Sequence, residues 1–269
     1  MRVAEAALPT EAAADRDLLC EAALEAGRLA RFHARRDLKV RDKGDGQGPV
    51  TAADLAVDRM LRETLTAARP DYGWLSEESP DDPARLSSRR VFVVDPIDGT
   101  RAFIAGETSW AHSLAVVEDG VPVAAAIYLP MKDRLYAAAL GQGATREGWP
   151  IAPSGRAVLD GAEVLGAKPA FRDEIWRGGV PAVRRRWVSS LAFRLALAAE
   201  GRFDAMLTLR DTWEWDIAAG TLLVTEAGGA ATTRAGDALR FNNPAPKLAG
   251  VVAGTRAVQG ALLTRLAHR

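Results

Sequence analysis

The sequence predicts an α+β protein, with an antiparallel sheet and two helices in the first half and alternating α/β units in the second. Three observations predict it. Apolar residues recur with helical period near the N-terminus, and Asp119-Gly120 forms a tight hairpin signal between two strand-like segments. From about residue 155, short strand patterns alternate with helical ones. The halves, 1–150 and 151–269, show no internal repeat and no low-complexity linker, so they are expected to pack as one body.

In chain order, Thr10 to Arg36 reads as an amphipathic helix with Leu18, Leu19, Ala22, Ala26, Leu29 and Phe32 on one face. Cys20, the single cysteine, makes no internal disulfide and is expected to be a buried structural thiol. Leu38 to Asp42 alternates like an edge strand. The glycine-rich loop Lys43 to Pro49 after it is equally a lid beside a charged site or a surface turn. Thr51 can cap a second helix with Val57, Met60, Leu61, Leu65 and Ala68 buried. Asp54 lies in its first turn, where an acid is favoured electrostatically whatever its function. A short strand, Gly73 to Ser76, then delivers Glu77 and Glu78. Alternation along a strand sends adjacent side chains to opposite sides, so one of this pair is expected to face a given metal.

After the polar loop Asp81 to Arg90 comes Val91 to Val94, short, apolar and β-branched, as in a strand buried on both faces. It runs directly into Asp95-Pro96-Ile97-Asp98-Gly99-Thr100. Carboxylates held this close repel unless a cation lies between them, and hard oxygen ligands suit Mg²⁺. Gly99 allows close backbone approach, and Thr100 opens a helical turn whose free N–H groups attract an anion. Asp-Gly is also a common turn pair, so this stretch alone fits a plain turn as well. Strands follow at Trp110 to Glu118, Val121 to Leu129 and Arg134 to Leu140, with a turn at Arg146 to Gly148. The second half has a strand near Trp187 to Ser189, a helix Ser190 to Glu200 and a strand Phe203 to Leu209. A helix Trp213 to Ala227, a strand Gly250 to Ala253 and a helix Arg256 to Ala267 complete it. Asp216, at the start of its helix, is either a cap or a ligand.

Lys+Arg and Asp+Glu number 35 each, and this zero balance gives no support for a nucleic-acid polymer or an anionic membrane as partner. No stretch approaches the roughly 18 apolar residues of a membrane span, and the first residues lack the apolar core of a signal peptide. A soluble, cytoplasmic protein is expected.

Taken together, Pro49-Val-Thr-Ala-Ala-Asp54, Ser76-Glu-Glu-Ser79, Asp95-Pro-Ile-Asp-Gly-Thr100 and Trp215-Asp-Ile-Ala-Ala-Gly220 resemble the inositol monophosphatase superfamily, in order and spacing, over nearly the whole chain. The resemblance implies a layered αβαβα sandwich of the inositol monophosphatase/fructose-bisphosphatase kind. It also implies a Mg²⁺-dependent phosphomonoesterase with two or three ions, inhibition by Li⁺ and a homodimer. Position by position, it implies that Glu77, Asp95 and the Ile97 carbonyl hold one metal, that Asp95, Asp98 and Asp216 hold a second, and that Glu77 with waters holds a weaker third. Asp54 would hydrogen-bond Thr100, and Thr100 with Glu77 would orient the attacking water. Gly99 and Thr100 N–H groups would cradle the phosphate, with Asp98 close by, and Ser190 lies where the family contacts substrate, although a helix cap explains it equally well. Such acids serve in-line displacement at phosphorus, in which bound cations neutralise the phosphate oxygens. His33, His112 and His268 match no motif position and are read as structural or surface residues.

The resemblance bears on substrate less directly. The position seven residues before Asp216, where inositol monophosphatases carry a glutamate for ring hydroxyls, is Leu209. Glu214-Trp215-Asp216, and Lys43 followed by Asp45, look more like the bacterial 3'(2'),5'-bisphosphate nucleotidase branch, which acts on 3'-phosphoadenosine 5'-phosphate. Arg101 to Gly106 also resembles the histidinol-phosphate phosphatase branch. The expected order is nucleotidase, then inositol 1-phosphate, then histidinol phosphate. A regulatory or RNA-associated interaction protein that kept the fold is the reading of a different class. The intact acids favour the enzyme, because a binding module has no need of mutually repelling carboxylates.

Overall fold

The computed structural model describes residues 10–36, 38–44 and 48–267. Helix α1 (Glu11–Ala34) opens at Thr10, whose hydroxyl accepts from the Ala13 N–H, and buries Leu19, Ala22, Ala23, Ala26 and Ala30. Cys20 on this helix is half-buried, and burial pushes its thiol up to about 12, which leaves it unreactive at neutral pH. The edge strand expected over 38–42 is reduced to β1 (Arg41–Asp42), paired antiparallel with β2 (Pro49–Val50). Asp45 and His268 lie outside the described residues. Helix α2 (Ala52–Ala68) begins with a capping box: Thr51 Oγ1 accepts from the Asp54 N–H, and the Asp54 carboxylate accepts from the Thr51 N–H.

A seven-stranded sheet follows, in the order β3 (Gly73–Ser76), β4 (Arg90–Asp98), β5 (Ala111–Glu118), β6 (Val121–Leu129), β7 (Arg134–Ala139), β8 (Ala144–Arg146) and β9 (Trp149–Pro150). Every neighbouring pair is antiparallel except β3 and β4, which run parallel. The loop joining them contains a 3₁₀ turn at Pro83–Ser87 where only a polar loop was expected. Helix α3 (Thr100–Ile104) joins β4 to β5.

The second half contributes β10 (Glu163–Leu165), β11 (Arg184–Arg186), α4 (Leu191–Ala199), β12 (Ala205–Thr208), β13 (Thr212–Trp213), α5 (Glu214–Glu226), β14 (Ala230–Thr232), β15 (Lys247–Leu248), β16 (Val251–Gly254) and α6 (Arg256–Arg265). Five of these strands form a mixed sheet in the order β11-β10-β12-β16-β14, while β13 and β15 make a separate ladder. The strand expected at Trp187 to Ser189 is instead β11, three residues earlier. Its three arginines are exposed on the sheet edge, where their charges stay solvated and oppose pairing with a further strand.

The layers follow from which faces are apolar. Along β4, Phe92 and Val94 pack toward α1 and α2, while Val91 and Val93 pack toward α4 and α5, so the strand is buried on both sides. Helices α4 and α5 fill the space between the two sheets, and α6 covers the far face of the second sheet. The result is the αβαβα sandwich that the resemblance implied. One central core draws Leu75 and Val93 from the first half and Leu195 and Val251 from the second. Gly220 lets α4 and α5 approach, since a Cβ there would lie 2.4 Å from Leu195. Among the described residues, no helix is long and apolar enough to cross a membrane.

Candidate active site

The site begins with an irregularity in β4. Asp95 pairs with Ser113 and Asp98 with Ala111, so three steps along β4 match two along β5. A strand alternates sides at every residue, which would send positions 95 and 98 to opposite faces. The extra residue of the bulge restores parity and turns both carboxylates toward the α4–α5 layer. Gly99 then takes a left-handed conformation (φ 98°, ψ 39°) that reverses the chain into α3, a backbone geometry other residues adopt only with strain. His112, which no motif claims, steadies this turn. Its buried Nδ1 bonds the Pro96 carbonyl, and burial pushes the ring down to about 4, so it is neutral at pH 7.

Three acids from separate elements converge here. Glu77 leaves the end of β3, Asp95 lies in β4 and Asp216 in the first turn of α5, and each offers an oxygen within 4.8 Å of the others. The Ser113 hydroxyl fixes the start of α5 by donating to the Trp215 carbonyl at 3.0 Å. Asp95 and Asp216 both have carboxyls raised well above the ordinary range, first by burial and then by neighbouring carboxylates. Asp95 Oδ1 is buried without a hydrogen-bond partner. A buried carboxylate oxygen with nothing to bind, ringed by other acids, is the donor set of a hard divalent cation, and these residues fit one.

Asp98 stands beside this trio. Its Oδ2 accepts from Ser190 Oγ and from the Ala192 N–H, both at 2.6 Å, so it caps α4 jointly with Ser190, whose own oxygen accepts from the Phe193 N–H. Burial pushes the Asp98 carboxyl up to about 6 against these stabilising bonds. Thr100 Oγ1 lies 3.3 Å from Asp54 Oδ1 and 3.2 Å from the Ile97 carbonyl oxygen. The other Asp54 oxygen is occupied by Thr51, at 2.8 Å from its N–H and 2.5 Å from its hydroxyl. Burial raises the Asp54 carboxyl as well.

Of this pair, Glu77 alone joins the acid trio among the described residues, as expected, yet the two side chains share one cation. Lys43 Nζ reaches both, at 2.7 Å and 2.6 Å, because the chain has left the strand at Ser76 and alternation no longer governs it. Burial nevertheless pushes Glu78 up to about 7. Asp58 was missed in the sequence, and it holds this turn to α2 by accepting from Ser76 Oγ at 2.5 Å and Ser79 Oγ at 2.6 Å. The serines flanking the two glutamates were the available signal. Glu214 proves to be a strut. Its fully buried carboxylate accepts from the Asn242 and Asn243 N–H groups and from the Asn243 side chain at 2.6–2.9 Å, partners that belong to none of the acidic motifs.

Beside the acids lies a cavity of about 540 Å³ whose wall includes Arg101, Arg172, Trp187, Arg194, Leu209 and Arg210. Arg194 is buried and donates to the carbonyls of Val188 (2.5 Å) and Ser189 (3.0 Å), with its guanidinium 3.9 Å over the Trp187 ring.

The family model described as "Inositol monophosphatase family" matches residues 12–269. An inositol-1-monophosphatase of Rhizobium meliloti (strain 1021) is 35% identical over 232 residues, 82% of this chain and 85% of that protein. A 3'(2'),5'-bisphosphate nucleotidase CysQ of Aggregatibacter actinomycetemcomitans is 32% identical over 222 residues, 78% of this chain and 80% of that one. Among solved structures, the extragenic suppressor protein suhB of Bartonella henselae superposes with a TM-score of 0.78 at 29% identity, covering 93% of this chain and 97% of that one.

Proposed function

The chain belongs to the inositol monophosphatase family and is a metal-dependent phosphoric monoester hydrolase, and from that premise we propose that its substrate is 3'-phosphoadenosine 5'-phosphate, from which it removes the 3'-phosphate. The observation that carries the hydrolase chemistry is the convergence of Glu77, Asp95 and Asp216 around an unpartnered buried oxygen. In this reading Glu77, Asp95 and the Ile97 carbonyl would hold one Mg²⁺, and Asp95, Asp98 and Asp216 would hold another. Glu77 also serves a weaker third. When bound, the ions supply charge neutralisation on the phosphate oxygens and acidify the attacking water.

The chain's own groups do the rest. Asp54 accepts from Thr100 and fixes its hydroxyl, which with Glu77 aligns the water for in-line attack. In this reading the N–H groups of Gly99 and Thr100 would cradle the phosphate at the turn that the left-handed glycine makes, with Asp98 and its partner Ser190 beside it. Asp95 on β4 and Asp216 on α5 are set by a sheet and a buried helix, and Glu77 follows directly on β3, so the arrangement is in place before substrate arrives.

Two features support the choice of substrate. Leu209, in the cavity wall, offers no acceptor for the hydroxyls of an inositol ring. The arginines around it disfavour the cationic amine of histidinol phosphate, so inositol 1-phosphate and histidinol phosphate rank second and third. The same reading carries a homodimer, inhibition by Li⁺ and a cytoplasmic place of action. A partner role like that named for relatives called Nus factor SuhB is the alternative of a different class, and it has no use for the clustered acids.

Asp95→Asn is the test. Phosphate release in Mg²⁺ should fall to background while circular dichroism and thermal unfolding remain those of a folded protein. Turnover undiminished in this variant would remove the metal assignment.

A further inference from the structure

The wall of the cavity beside the acids carries four arginines. Arg101 and Arg210 make no ion pair or side-chain hydrogen bond among the described residues, and Arg172 has only an exposed contact with Glu174 at 3.5 Å. No acidic side chain lines the cavity. Arg194 differs from the other three, because it is buried and two of its five N–H donors go to the Val188 and Ser189 carbonyls. It contributes charge and holds one face of Trp187, leaving that ring 53% exposed.

The position relative to the acids is set by the chain. Arg101 follows Thr100 directly. Arg194 lies on α4, whose N-terminus binds Asp98, and its charge acts on Asp98 and Asp216. Arg210 also acts on Asp216. A phosphate drawn to cations at the acids would therefore have its leaving group beside three exposed guanidinium groups and a flat aromatic ring. Unpaired arginines at a concave site are planar donors suited to a phosphate, and an indole whose other face is backed by a cation is a platform for a base.

We propose that Arg101, Arg172 and Arg210 bind a second phosphate on the leaving group, that Trp187 stacks its base, and that this cavity makes the enzyme select nucleoside bisphosphates over nucleoside monophosphates. The inference rests on the phosphomonoesterase reading above. It adds the residues that select the substrate, none of which belongs to the acidic motifs. The cavity volume, about 540 Å³, is in the range of small-molecule sites. The cut bond is unaffected: the second phosphate is bound and released intact.

The test compares kcat/KM in Mg²⁺ on adenosine 3',5'-bisphosphate, 3'-AMP and inositol 1,4-bisphosphate. It is joined by calorimetric binding of the same three compounds with Ca²⁺ replacing Mg²⁺. Wild type should prefer the bisphosphate nucleotide over 3'-AMP by about tenfold or more. Arg172→Ala and Arg210→Ala should each collapse that ratio, and Arg210→Lys should keep part of it. Trp187→Ala should weaken both nucleotides relative to the inositol compound. Equal losses on bisphosphate and monophosphate in the arginine variants, or no preference in wild type, would overturn the proposal while leaving the phosphatase reading intact. A wild-type preference for inositol 1,4-bisphosphate would overturn the role of Trp187. Selective binding of the bisphosphate without hydrolysis of any ester would instead support the cavity and refute the hydrolase reading.

Discussion

Asp98→Asn exchanges a buried carboxylate for a neutral group of the same shape beside three other acids. The carboxyl of Asp98 rises from its ordinary 3.8 to about 6, with burial as the main cause and bonds from Ser190, Ala192 and Leu191 opposing it. A raised carboxyl means that the folded, metal-free protein disfavours the anion. The penalty is absent below about 3.8, grows as pH rises, and is complete above about 6. Converted at about 1.36 kcal/mol per pH unit, the gap between those values amounts to about 3 kcal/mol. The amide oxygen still accepts from Ser190 Oγ and the Ala192 N–H, so the variant should keep the α4 cap. In EDTA at pH 7.5, Asp98→Asn should therefore unfold roughly 6–12 °C above wild type, at about 2–4 °C per kcal/mol for a chain of this size. That advantage should vanish near pH 4. In saturating Mg²⁺ the order should narrow or reverse, because wild type gains the cation. Thermal unfolding followed by circular dichroism from pH 4 to 8 measures all of this. A variant less stable than wild type in EDTA at pH 7.5, or a gain independent of pH, would refute the reasoning.

Two other substitutions separate structural from substrate-facing residues. Glu214→Ala strands the Asn242 and Asn243 donors, each costing about 1–3 kcal/mol, so denaturant unfolding should show a loss on the order of 3 kcal/mol with KM nearly unchanged. Leu209→Glu places an acceptor, and a negative charge, in the arginine-lined cavity. Turnover of inositol 1-phosphate relative to adenosine 3',5'-bisphosphate should rise roughly tenfold, and an unchanged ratio would show that this position does not read the leaving group.

The parts of the fold legible in the sequence were those in which local pattern and tertiary burial agree. The β-branched run Val91 to Val94 is a strand buried on both faces, and the stripe through Leu19, Ala22 and Ala26 is the buried side of α1. Thr51 was legible as the cap of α2, and the resemblance implied Asp54 as the neighbour of Thr100. Short strands such as Glu163–Leu165 and Ala230–Thr232 escaped because three residues carry no period to detect. The common facing of Asp95 and Asp98 could not be read either, since it depends on a one-residue bulge against β5. Lys43 between Glu77 and Glu78, and arginines at 101, 172, 194 and 210 around one cavity, are brought together only by the folded chain.

The central claim is that Glu77, Asp95 and Asp216 hold divalent cations. An anomalous-difference map from crystals grown in Mn²⁺ tests it most directly. Strong peaks should lie among these three carboxylates, with Asp95 touching more than one ion if two are present. A map with no peak there, from protein that still releases phosphate in Mn²⁺, would contradict the account.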